Sequence, residues 1–390
     1  MPAPRPHIGL LCLAFAACAE REPPAATDAN SELSNLQALG YAGYEEQPEA
    51  DPIAVAPASP LAADSGPLLF TDEKDRVTLL ARDGTQLWSL RVPGRDQVEL
   101  AEPLEGGRLA TLSVDQGVDL FAPSGEHLAS WDLASHHDLA ADHDGSLLVL
   151  AHAEHLYYGR NVRFDSVVRV FPDAPDRDPE QVWSSFESHL SLLPLAGLSA
   201  LEKTPTGNPT ATIYDRFHAN SLQVLPPDAP ASLGPGNWLL CLRNASLILV
   251  LDPTTGYIRW HFEAKHLDFP HHPSLLPNGR ILLFDNGWQR GFSRLLELDA
   301  VTPFGIAWSW SSPQPESFFS KTRGAVERLP NGGTLVTNSE SGHLFELDAK
   351  GRLSWEYRNP LAADGRRRRI YRATRPTDSW VDQVLSSAKR

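Results

Sequence analysis

The sequence predicts an all-β chain, a six-bladed β-propeller behind an N-terminal tether. Three observations carry that expectation. A turn glycine followed by tryptophan recurs as Gly84 to Trp88, Gly256 to Trp260 and Gly351 to Trp355, with a shorter copy at Gly305 to Trp308 and looser ones ending at Trp131 and Trp183. Alternating apolar runs precede several of these turns, at 247–252, 295–299 and 344–348. A second repeat places histidine eight residues ahead of a turn glycine, His137 before Gly145 and His271 before Gly279, while a third copy has Gly324 before Gly332. Units of this length, with three or four strands each, fit propeller blades better than a sandwich or a solenoid.

Residues 1–17 read as a secretory signal. Arg5 precedes an apolar stretch, 8–17, too short to span a bilayer and closing on small residues. The run Ala16-Ala17-Cys18 resembles a bacterial lipobox, which would make Cys18 the lipidated first residue of an exported protein. Ala19 then favours the outer membrane of a Gram-negative cell, with the periplasm as the compartment. Residues 18–66, rich in Ala, Pro, Glu and Asp, read as a flexible tether with one short capped helix at 31–40. The propeller is expected over 67–375 and a C-terminal tail over 376–390. The interval 190–212 reads as an insertion beside the site.

Composition narrows the function. With 34 basic and 49 acidic residues the formal charge is −15, which argues against nucleic acid as a partner. Of three cysteines, Cys12 leaves with the signal and Cys18 would be acylated, so Cys241 has no partner for a disulfide and reads as a small buried hydrophobe.

Four segments could carry chemistry: His136-His137-Asp138, Phe217-His218-Ala219-Asn220, Leu242-Arg243-Asn244, and His271-His272 running on to Phe284-Asp285-Asn286-Gly287 and Arg294. If the His-led strands line the central channel, His137, His218 and His271 converge at one mouth. Three imidazoles can bind a metal, but an arginine among them opposes a cation, and none of the pairs has the helical spacing of a zinc protease. Arginine with histidine donors suits a tetrahedral oxyanion better, because guanidinium grips two oxygens at once. Neutral imidazole is also a good nucleophile towards sulfuryl or phosphoryl centres. The plainer alternative is that each histidine caps a turn or bonds a carbonyl. Asp285 and Asn286 read as turn residues, and His127, His143, His152, His155, His189, His261, His266 and His343 as surface positions.

The same segments, with 324–346 and Ile370-Tyr-Arg-Ala-Thr-Arg375, resemble the bacterial arylsulfotransferase family over about residues 130–375. That resemblance implies a six-bladed periplasmic propeller that moves a sulfuryl group from an aryl sulfate to a phenol through a sulfohistidine, with no cofactor and no metal. It places the nucleophile on His271, with His272 one residue away as the rival. His218, Asn220 and Arg243 match sulfate-binding positions, and His137 matches a further channel histidine. His136 and Arg294 are further candidates for substrate contact, and Arg294 and Arg323 for a positive channel. Two other readings stay in view: a non-catalytic envelope propeller binding an anion or a protein partner, and a quinone-dependent dehydrogenase. The latter lacks its vicinal cysteine pair and an acidic calcium cluster.

Overall fold

The computed structural model describes residues 66–72, 74–196, 202–204, 213–262, 264–300, 305–361 and 367–388. The signal, the lipobox cysteine, the tether with its expected helix and part of the 190–212 insertion lie outside these residues.

Six sheets follow one another around the ring. Blade 1 holds β1 (Leu68–Thr71), β2 (Arg76–Leu80) and β3 (Gln86–Arg91); blade 2 holds β4 (Val98–Pro103), β5 (Leu109–Ser113), β6 (Gly117–Phe121) and β7 (His127–Trp131). Blade 3 is larger, with β8 (Ser135–Ala141), β9 (Leu147–Tyr157), β10 (Arg160–Val170) and β11 (Glu180–Ser184). A short helix, α1 (His189–Ala196), follows, and β12 (Glu202–Thr204) and β13 (Ile213–Asp215) add to the edge of β10. Blade 4 comprises β14 (Ala219–Val224), β15 (Trp238–Leu242), β16 (Leu247–Leu251) and β17 (Ile258–Phe262). Blade 5 comprises β18 (Pro270–Leu275), β19 (Arg280–Asp285), β20 (Arg294–Asp299) and β21 (Gly305–Trp310). Blade 6 comprises β22 (Ala325–Arg328), β23 (Thr334–Asn338), β24 (His343–Leu347) and β25 (Leu353–Arg358). The innermost strand of blade 1 is β26 (Ala373–Thr374), which pairs antiparallel with β1 and closes the ring with chain from the far end of the sequence. Pairing within blades is antiparallel, except where β13 runs parallel to β10.

The repeats explain this architecture. All six marker tryptophans stand on the outermost strands β3, β7, β11, β17, β21 and β25. There a large ring covers the cleft to the next blade; Trp355 donates its indole N–H to the Arg82 carbonyl at 2.9 Å across the junction of blades 6 and 1. Apolar alternation then gives each sheet two buried faces, and the described core divides into six clusters, one between each pair of neighbouring blades. Cys241 lies in one of these, fully buried between blades 4 and 5.

The segment expected to be a tail departs from that expectation. Thr377 caps α2 (Asp378–Ser387), its side chain accepting the Trp380 N–H, and Trp380, Val381 and Val384 bury into the core between blades 1 and 2. The physical signal is an amphipathic spacing, 380, 381 and 384, directly behind a Thr cap.

Candidate active site

The innermost strands start at one face of the ring, and their starts are irregular. Register shifts mark β4, β8, β14 and β18 between Val98 and Leu100, Ser135 and Leu139, Ala219 and Ser221, and His271 and Ser274. At or beside these places, and at the start of β22, non-glycine residues take left-handed backbone: Gln97, His137, His218, His272 and Arg323 have φ of 53°, 63°, 57°, 48° and 60°. Such conformations cost of order 1–3 kcal/mol each and persist where the surroundings over-determine them. Here the repeated bulge turns side chains out of the blade core and towards the axis. Gly324 accounts for the third repeat lacking histidine. Its φ is 116°, and a Cβ there would stand 2.7 Å from the buried Phe284 ring.

His137 and His218 meet across the channel mouth, Nε2 to Nε2 at 2.8 Å. Each is backed by a carboxylate: the Asp215 Oδ2 lies 2.5 Å from the His218 Nδ1, and Glu99 Oε2 lies 3.2 Å from the His137 Nδ1. Glu99 also accepts the His137 backbone N–H at 3.1 Å and pairs with Arg323 at 3.3 Å. Burial works to raise the Glu99 carboxyl, but His137 and Arg323 outweigh it and hold it at about 2. Burial first, then neighbouring positive charge, lowers His218 to about 4 despite Asp215. Tyr371, from the segment leading into β26, stacks parallel to His137 at 5.9 Å.

His271 stands apart from this pair in its bonding. Asn286 donates its amide to the Ser320 carbonyl at 2.8 Å and to the Arg323 carbonyl, which leaves its Oδ1 facing the His271 Nδ1 at 2.7 Å. The proton of His271 is therefore on Nδ1, and the Nε2 lone pair accepts the Arg323 backbone N–H at 3.2 Å. Burial, then the Arg243 charge, holds this imidazole well below its ordinary value, so it is neutral.

Arg243 is 1% exposed. It opens a one-turn 3₁₀ helix after β15 and donates Nη1 to the Asn244 Oδ1 at 3.0 Å. The Asn244 Nδ2 is buried beside it with no hydrogen-bond partner among the described residues. A buried guanidinium next to an unused amide donor is an anion-binding arrangement. Asn220 donates its amide to the Pro270 carbonyl at 2.9 Å, and so ties blade 4 to the residue before His271.

Other expected residues fall elsewhere. His272 bonds the Val326 carbonyl at 3.0 Å, and burial with the nearby Arg372 lowers it to about 3. Arg294 lies on the third strand of its blade and is engaged by Asp285 at 2.7 Å and the His266 carbonyl at 2.9 Å, away from the three histidines. His136 sits behind His218 at 6.4 Å between ring centroids, 3.6 Å from Asp165. Asp138, beside His137 in sequence, accepts the Leu222 N–H and the Arg372 guanidinium, both at 2.9 Å. His152 is not a surface residue: its side chain is 13% exposed and packs on His136. Glu99, Asp215, Asn286 and Tyr371 join this cluster although the sequence reading did not make them candidates; Asn286 stood in the turn after a fully apolar strand and Tyr371 in the 370–375 segment, while Glu99 and Asp215 carried no signal. Among the described residues, no group of three His, Cys, Asp or Glu side chains is placed to hold a metal ion.

The arylsulfotransferase (ASST) family model matches residues 110–360, from β5 to the end of β25 and so through this site. The chain belongs to the arylsulfotransferase family. No curated protein matches it. Among solved structures it is similar to a Bacteroides caccae protein of unknown function, at 14% identity and a TM-score of 0.49, covering 75% of this chain and 93% of that one. It is also similar to a streptogramin B lyase at 11% and 0.47, covering 85% and 95%. A catalytically inactive virginiamycin B lyase from Staphylococcus aureus, with quinupristin, is similar at 10% and 0.43, covering 79% and 88%. Nothing about the activity of this arylsulfotransferase-family chain follows from those three.

Proposed function

We propose that this protein is an aryl sulfate sulfotransferase working through a sulfohistidine at His271, lipid-anchored at Cys18 in the bacterial envelope. The observation that carries the proposal is the Asn286 amide, whose two carbonyl partners fix its oxygen on the His271 Nδ1–H and so present a neutral Nε2 lone pair. In the first half-reaction that lone pair gives up the Arg323 N–H and forms a bond to the donor's sulfur as the sulfur–aryloxide bond breaks. The Nδ1–H then carries more positive charge, which Asn286 Oδ1 stabilises. Arg243 and the Asn244 amide are disposed to bind the sulfuryl oxygens, where positioning and electrostatics supply most of the barrier reduction.

The leaving phenolate needs a proton. The Asp215–His218–His137–Glu99 array has a carboxylate at each end. The 2.8 Å approach of the two Nε2 atoms requires a proton on the line between the rings. It goes to the departing phenolate. In the second half-reaction the incoming phenol returns a proton to the pair, its oxygen attacks sulfur, and the nitrogen–sulfur bond breaks to regenerate neutral His271. His271 is favoured over His272 because the latter's ring is bonded to the next blade, near Arg372 rather than Arg243.

The test is a burst assay with 4-nitrophenyl sulfate followed by intact-mass analysis. Release of nitrophenol with one added sulfuryl group, discharged by phenol and absent in His271→Asn, is the expected result. Equal turnover by His271→Asn refutes the assignment. No release and no mass change leaves a propeller that binds anions or partners without chemistry.

A further inference from the structure

Two aromatic rings beside the nucleophile take no part in the transfer above. Phe269 stands two residues before His271, and Trp288 two residues after Asn286. Their centroids are 4.8 Å apart and the planes are tilted by 44°. The Arg243 guanidinium carbon lies 4.8 Å from the Phe269 centroid and 5.6 Å from that of Trp288, and Lys321 Nζ lies 5.1 Å from the Trp288 centroid. Both rings are half-buried.

The rings pack against each other, and the backbone that carries them is bonded in place. The Asp268 carboxylate accepts the N–H groups of Gln289 and Arg290 at 2.8 and 3.0 Å, while its carbonyl accepts that of Gly287 at 2.9 Å. Gly287 has φ of 76°, and a Cβ there would meet the Phe292 carbonyl at 1.9 Å. Phe269 is itself left-handed, at φ 56°, with its N–H on the Ser246 Oγ at 3.1 Å. A strained, bonded frame that presents two rings is preorganised for a flat ligand. Cations against both rings make this aromatic surface complementary to an aromatic ring that carries negative charge, such as a sulfate ester or a phenolate. An alkyl chain gains hydrophobic contact here but no ring–ring geometry.

Resting on the transfer reading for its orientation, we infer that Phe269 and Trp288, flanked by Arg243 and Lys321, form the aryl subsite that selects aromatic over alkyl sulfates. The experiment measures binding without turnover, by calorimetry on the full-length protein carrying His271→Asn. The ligands are 4-nitrophenyl sulfate, hexyl sulfate and inorganic sulfate. Adding Trp288→Leu should weaken 4-nitrophenyl sulfate about five- to tenfold while hexyl sulfate and inorganic sulfate change less than about twofold; Trp288→Phe should restore most of the loss. Unchanged affinity for the aryl ligand, an equal loss for all three ligands, or no binding of any of them overturns the subsite. The burst assay on the unsubstituted protein reports separately on transfer. Trp288-dependent aryl binding without a burst keeps the subsite and removes the transferase, and a burst with Trp288-independent affinity does the reverse.

Discussion

Asn286 decides which nitrogen of His271 carries the proton. Its amide is pinned by two carbonyls, so it can only accept from the Nδ1–H. Asn286→Ala is expected to lower the burst rate by about a hundredfold while leaving donor affinity nearly unchanged, since partners that orient a reacting imidazole act mainly on turnover. Rapid-quench release of nitrophenol measures it, and a loss confined to affinity contradicts the role. The proton balance gives a second expectation. Burial, then Arg243, keeps His271 neutral well below its ordinary value, so acid does not protonate it as the pH passes the usual imidazole range. The single-turnover rate of the first half-reaction should show no fall with a midpoint near pH ~6.5. At this scale the sequence showed His137 and His271 through the repeat they share, and His218 and Arg243 through the segments that resemble the family. It did not show Glu99, which reaches His137 from the preceding blade, and Asp215, only three residues before His218, stands in no repeat that would single it out. Asn286 was read as a turn residue, which it also is.

The start of each innermost strand is the element that builds the site. A bulge with left-handed backbone recurs there, and histidine or arginine occupies it where glycine would be the easy choice. Local propensity argues against that conformation at His137 and His218; the closed ring imposes it, so the pattern of strands was legible and the bulges were not. Gly324 marks the exception, because the Phe284 ring fills the place of a side chain. Gly324→Ala should cost about 2–4 kcal/mol, combining left-handed strain with a clash against a packed aromatic. A lowered thermal midpoint measures this, and unchanged stability contradicts it. The closing helix α2 was hidden for another reason: ten residues of short amphipathic pattern at a chain end look like a tail until the cleft they fill is known.

Across the whole molecule, stability should depend on pH through buried and half-buried groups on or beside the innermost strands. Burial lifts Glu102 and Glu327 to about 7 in the folded state from an ordinary 4.5, so the folded protein holds protons that the unfolded chain releases. Their contribution is complete below pH 4.5 and is lost as the pH rises towards 7. His218, depressed from 6.5 to about 4, acts oppositely: its contribution is present above 6.5 and is lost as the pH falls towards 4. The thermal midpoint should therefore decline on both sides of an intermediate optimum, and Glu102→Gln with Glu327→Gln should flatten the alkaline limb and spare the acid one. An unchanged alkaline limb in that double variant refutes the assignment. The ring itself was legible at this scale, since six tryptophan marks required six sheets. Its closure has a temporal consequence. Tyr371, against His137, and Arg372, which clamps Asp138, both arrive with the strand that seals blade 1, after every other blade has been laid down. A chain still emerging from a ribosome thus carries His271 long before the last strand closes the ring around it. On the proposed transfer, reactivity waits on that final seam, and an unfinished copy would stay inert.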